Sequence, residues 1–134
     1  IIEEGPGLAG HSDADVLLHA ITDAVLGAAA LGDIGHYFPP SDPRWAHADS
    51  ADFLRTALRL AGEAGWAPGN IDATVRTERP KLAPYIEHIR SRVADITGIA
   101  VECVSVKAKT AEGLDAVGRG EAMSAAAVVL LESA

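Results

Sequence analysis

Asp15, His19 and Asp23 recur at i, i+4 and i+8, a spacing that on a helix sets one imidazole between two carboxylates on a single face. A histidine so placed is a candidate metal ligand, because metal-bound imidazole commonly gives its second ring nitrogen to a carboxylate. A solvated or structural histidine is the commoner case. Zinc, moreover, needs three or four protein ligands, so His19 cannot form such a site alone. Just upstream, His11 and Ser12 precede the expected helix start, where free N–H groups and the helix dipole favour a phosphate. The plainer reading makes Ser12 a simple cap and leaves His11 without a role.

Four further clusters carry usable chemistry. Asp33-Ile34-Gly35 is either an ordinary turn or a carboxylate that accepts hydrogen bonds from a polyol. Pro80-Lys81-Leu82 reads as a strand end followed by a helix start, and Lys81 by itself decides nothing. Lys107 to Glu112 ends a strand with two lysines, Thr110 and a carboxylate, a set suited to phosphate plus a divalent ion. In Gly118-Arg119-Gly120-Glu121 the glycines let backbone approach an anion that the guanidinium attracts. Singly, such residues are mostly just solvated. Together they supply phosphate binders to a chain whose formal charge is −8.

The elements that must hold these groups follow from periodicity. A helix is expected from about Asp13 to Leu31, capped by Ser12, with the stripe Val16, Leu17, Ala20, Ile21, Ala24, Val25 and Ala28. Gly32 to Pro43 reads as an ordered loop rich in Gly, Pro and Asp. Phe53, Leu54, Ala57, Leu58 and Ala61 mark a second helix ending near Gly65, followed by a turn at Ala67-Pro68-Gly69-Asn70. Ile71, Ala73, Val75 and Thr77 alternate with polar residues as a strand that stops at Pro80. Leu82, Ile86, Ile89, Val93 and Ile96 form a third helix, with Pro84 in its first turn and Gly98 as its stop. Val104, Val106 and Ala108 make a second strand. The apolar run Ala122 to Leu131 makes a third, to be covered on both faces and therefore pointing towards an oligomer. The fold class is α+β, a small mixed sheet with helices packed on one face, in one domain spanning residues 1–134.

Composition narrows the partners. An acidic chain with pI near 4.9 lacks the basic surface that a nucleic acid requires. Cys103 is the single cysteine, so neither a disulfide framework nor a multi-cysteine metal site is available, and a reducing cytoplasm fits. No apolar run approaches the roughly 20 residues of a membrane span. Only 4 % of residues are aromatic against 49 % hydrophobic, so the core must be built from small aliphatic side chains.

Read in order, Gly10-His11-Ser12-Asp13-Ala14-Asp15-Val16-Leu17-Leu18-His19, Gly32-Asp33-Ile34-Gly35, Phe38-Pro39, Pro80-Lys81 and Gly118-Arg119-Gly120-Glu121 resemble the 2-C-methylerythritol 2,4-cyclodiphosphate synthase family. Five separate motifs agree along the whole chain. The resemblance implies an enzyme of non-mevalonate isoprenoid synthesis that takes 4-diphosphocytidyl-2-C-methylerythritol 2-phosphate, closes the cyclic diphosphate and releases CMP. It also implies a homotrimer, with the sheets around its axis and each active site shared between neighbours.

By the same resemblance, His19 is a zinc ligand, and His11 aligns and stabilises the reacting phosphate with help from Ser12. Asp33, Ile34 and Gly35 hold the methylerythritol hydroxyls, and the loop continues through Phe38 to Asp42. Thr77, Pro80, Lys81, Leu82 and Ala83 belong to the cytidine pocket. Lys109, Thr110 and Glu112 form the facing loop, with Thr110 at the phosphates as a second catalytic residue and Glu112 on magnesium or manganese. Arg119 lies near a central cavity. The family's other two zinc ligands come from a Gly-x-Asp-x-His strand that precedes the position of Ile1, so the working enzyme is expected to carry that strand. Two other functions compete with this reading: a catalytically silent trimer binding a cytidine nucleotide or an isoprenoid diphosphate, and a generic metallohydrolase.

Overall fold

A computed structural model describes residues 6–39, 41, 49–76, 83–109 and 124–134, the side chains of residues 6–13 and of Ala83 excepted. The first helix, α1, spans Pro6–Ala28. It begins well before the expected cap, with proline, whose missing N–H costs nothing in a first turn, at its first position. Ser12 therefore lies within the helix and is not its N-cap, and His11 is likewise helical, so the argument from free N–H groups at a helix start does not apply to this pair.

The buried face of α1 is Leu17, Leu18, Ile21, Val25 and Leu26. It is rotated from the expected stripe, because Leu18 and Leu26 remove more apolar area from water than Ala20, Ala24 or Ala28 can. Thr22, buried on this face, donates its hydroxyl to the Leu18 carbonyl at 2.7 Å and so leaves no polar atom stranded. The helix closes in a Schellman turn: Leu31 N–H donates to Leu26 O at 2.9 Å and Ala30 N–H to Gly27 O at 3.0 Å. The left-handed residue of that turn is Ala30, with φ 58°.

The segment expected as a plain loop contains one helical turn, α2, at Ile34–Tyr37, whose N-cap Asp33 accepts from His36 N–H. Helix α3 follows at Ser50–Glu63, capped by the Asp49 side chain on Ala51 N–H. Strand β1 then runs from Trp66 to Arg76. The expected turn at 67–70 is instead strand, with a register shift between Pro68 and Asn70. Pro68 is tolerated because β2 pairs only with residues 71–76, so at Pro68 one edge of β1 needs no donor.

A 3-10 turn at Ala83–Tyr85 leads into α4, Ile86–Thr97, which starts later than the apolar spacing suggested. Gly98 ends it in the left-handed conformation, φ 77°. Strands β2, Val104–Lys109, and β3, Ser124–Ser133, complete a mixed sheet of order β2-β1-β3, with β1 parallel to β2 and antiparallel to β3.

Ile71, Ala73, Val75, Val104, Val106 and Val129 form one buried layer of the sheet and share a core with residues of α1, α3 and α4. The fold is the expected α+β arrangement. On β3, however, Val128 is 70 % and Leu130 63 % exposed, so the described residues do not supply the expected cover on both faces. Among the described residues no helix is long and apolar enough to cross a membrane.

Candidate active site

The best-defined constellation surrounds His19, which projects from α1 with much of its surface open to solvent. Its Nε2 lies 3.1 Å from the Ser50 hydroxyl, at the first position of α3. Ser50 is only 7 % exposed, so the contact ties one end of the ring to the protein interior. Phe53, one turn along α3, packs on the imidazole at 5.5 Å between centroids, and Phe38 packs on Phe53 at 4.8 Å. Two helices and the segment after α2 thus fix the ring plane. Nδ1 has no hydrogen-bond partner among the described residues.

Of the carboxylates flanking His19, Asp23 does other work than expected. Asp23 accepts at Oδ1 from the Ile34 N–H, 2.9 Å away, and so pins the start of α2 to α1 one turn beyond His19. The orienting group on the histidine is a serine, not Asp15 or Asp23. Asp33 accepts from His36 N–H at 3.0 Å, which fixes its carboxylate at the head of the turn while leaving it exposed. Gly35 is exposed beside it, and a Cβ there would meet Asp33 Oδ1 at an ordinary 3.7 Å. Phe38 is 6 % exposed and belongs to the core, so it anchors the loop that follows α2.

A second region is defined by strand register. Arg76, the last residue of β1, stands opposite Lys109 on one side and Ser124 on the other. The chain therefore leaves and re-enters the sheet at one end, towards 77–82 and 110–123, the stretches that hold most of the remaining candidates. Lys109 is exposed there, and exposed Arg76 adds a cation that the motif reading passed over. Two residues back, Lys107 Nζ lies 3.0 and 3.1 Å from the two Asp72 carboxylate oxygens across the strands. A half-exposed pair of this kind adds little stability.

Of the candidate residues, His19, Asp33, Ile34, Gly35 and Phe38 are brought together by α1, α2 and α3, and Lys109 sits at the sheet end. The side chains of His11, Ser12 and Ala83, and residues Asp42, Thr77, Pro80, Lys81, Leu82, Thr110, Glu112 and Arg119, lie outside the described residues. Among the described residues no three metal-ligating side chains cluster. His19 fits one ligand of a metal site, since its Nδ1 edge is open, and the rest of the set must come from elsewhere. Ser50 and Phe53 escaped the sequence reading because they approach His19 only through tertiary packing. The sole local signal was the capping pattern at Asp49.

Residues 1–132 match the YgbB family. The chain is 61 % identical over 125 residues to the 2-C-methyl-D-erythritol 2,4-cyclodiphosphate synthase of Moorella thermoacetica, covering 93 % of this chain and 77 % of that protein. Its fold superposes on the bifunctional IspDF of Campylobacter jejuni with a TM-score of 0.85 at 37 % identity, covering 89 % of this chain and 32 % of that longer one. A CDP-bound 2C-methyl-D-erythritol-2,4-cyclodiphosphate synthase gives a TM-score of 0.80 at 36 % identity, covering 86 % of this chain and 74 % of that one.

Proposed function

The chain belongs to the YgbB family, and from that membership we propose that it converts 4-diphosphocytidyl-2-C-methyl-D-erythritol 2-phosphate to 2-C-methyl-D-erythritol 2,4-cyclodiphosphate with release of CMP. The observation that carries this reading is the 61 % identity to a synthase of that name across 93 % of the chain. It favours the synthase over a silent binder and over a metallohydrolase. The reaction class is a phosphorus–oxygen lyase of non-mevalonate isoprenoid synthesis, in the cytoplasm.

In the reaction an oxygen of the 2-phosphate bonds to the β-phosphorus, the bond from that phosphorus to CMP breaks, and no water enters. The substrate supplies its own nucleophile. The protein's work is to fold the substrate so that the two phosphates meet and to offset their charge. Asp33 and Gly35, on the turn pinned by Asp23, receive the methylerythritol hydroxyls. His11 aligns the attacking phosphate, assisted by Ser12, while Thr110 and Lys109 face the phosphates from the end of β2. Thr77 to Ala83 take the cytidine. His19 would hold zinc through Nδ1, and Glu112 would hold magnesium or manganese. When bound, these ions supply positive charge to the phosphate oxygens.

The 134-residue domain works as a homotrimer, with sites shared between neighbours. The exposed Val128 and Leu130 support this, since they form an apolar strip on the sheet face turned away from the helices. The function is tested by incubating the protein with the diphosphocytidyl substrate and following 31P NMR. A cyclic diphosphate together with stoichiometric CMP is expected. A linear phosphate product would turn the assignment to a hydrolase, and no CMP at all would favour a binder.

A further inference from the structure

We propose that Ser50 is a positioning residue for His19: its buried hydroxyl accepts the Nε2 proton and so keeps the Nδ1 lone pair free for the metal. The inference rests on the reading of His19 as a metal ligand. Nε2 lies 3.1 Å from Ser50 Oγ, which leaves Nδ1 as the nitrogen open to a ligand. A neutral imidazole carries one proton, and the nitrogen that binds a metal must be the one without it. If Nδ1 ligates, Nε2 carries the proton and the serine oxygen accepts it. The opposite arrangement, with Ser50 donating to Nε2, would protonate Nδ1 and block the site.

Ser50 is well placed for this task. It is 7 % exposed and sits in the first turn of α3, next to Asp49, whose carboxylate already caps Ala51 N–H. The serine hydroxyl is thus not consumed in capping. The Phe53 ring, on the same helix, limits rotation of the imidazole about its own axis. The helix that supplies the orienting hydroxyl also supplies the packing surface, so ring tilt and proton position are set by one rigid element.

The tautomer is read directly from long-range 1H–15N spectra of neutral His19 in the metal-free protein. The expected spectrum has Nε2 in the protonated, pyrrole-like range and Nδ1 in the pyridine-like range. The second readout is Co2+ binding to the full-length protein, followed by visible absorption for wild type, Ser50→Ala, Ser50→Thr and His19→Ala. Ser50→Ala should weaken Co2+ binding roughly 10–100-fold, the usual effect of removing such an outer partner, and Ser50→Thr should recover most of it. An Nδ1-protonated ring, or Co2+ affinity unchanged in Ser50→Ala while His19→Ala abolishes it, would overturn the role of Ser50 alone. Co2+ binding unaffected by His19→Ala would remove the metal reading, and this inference with it.

Discussion

His11 and His19 are eight residues apart on α1, about 12 Å along its axis. One is assigned to the reacting phosphate and the other to the metal. His11→Ala should then lower turnover on the order of 10²-fold or more while leaving CDP binding nearly intact, as steady-state rates and a CDP titration would show. Unchanged turnover would take His11 out of the reaction. Asp23 acts at one remove, since its carboxylate holds Ile34 N–H and with it the Asp33 turn. Asp23→Ala should raise KM about tenfold, the equivalent of about 1.4 kcal/mol from a lost charge-assisted hydrogen bond, with a smaller effect on kcat. At this scale the sequence disclosed the histidine but not its neighbours. Helical spacing put Asp15 and Asp23 beside His19, whereas the partner chosen by packing lies 31 residues away.

Among the elements, the ends of helices carry the clearest energetic signatures. Ala30 occupies the left-handed position that closes α1, where a Cβ crowds the following carbonyl at a cost of roughly 1–2 kcal/mol. Ala30→Gly should raise the unfolding free energy by about 0.5–1 kcal/mol, the remainder being lost to the added freedom of the unfolded chain. Denaturant titration would measure it, and a destabilised variant would contradict the strain argument.

Arg90 on α4 is the opposite case, a side chain that joins elements. Its Nε donates to Val104 O at 2.8 Å, its Nη2 to Val101 O at 2.9 Å and its Nη1 to Glu87 at 2.8 Å. Arg90→Ala should cost about 2 kcal/mol in the same measurement, and Arg90→Lys should recover less than half, because an ammonium lacks the planar fork. Full recovery by lysine would mean that charge alone matters. Most elements were legible from periodicity: α3, α4, the buried alternation of β1 and the Gly98 stop all follow from it. The start of α1 and the strand at 67–70 were not. The first was hidden by the capping-box pattern at Ser12, and the second depends on Pro68, at a place where its missing N–H is harmless.

For the whole molecule, the outward strip on β3 is the surface on which the proposed trimer rests. Val128 and Leu130 bury little within one chain, so a charge there should leave the fold alone while opposing association. Val128→Glu is expected to sediment as a monomer with a folded chain by circular dichroism and with cyclising activity lost, as the proposed sharing of each site between neighbours requires. A trimeric or fully active variant would place the interface elsewhere. The apolar run was visible in the sequence; which half of it faces out follows only from its pairing with β1.

The outer strand β2 has a different consequence. It is six residues long and borders the sheet among the described residues, with Lys107 and Lys109 among exposed side chains. An unpaired strand edge invites cross-β growth, and lysines on a short edge strand oppose it by charge and solvation. In the single chain these two residues therefore act as gatekeepers of colloidal stability. In a refolding reaction Lys107→Val with Lys109→Val should shift the yield towards thioflavin-positive aggregate.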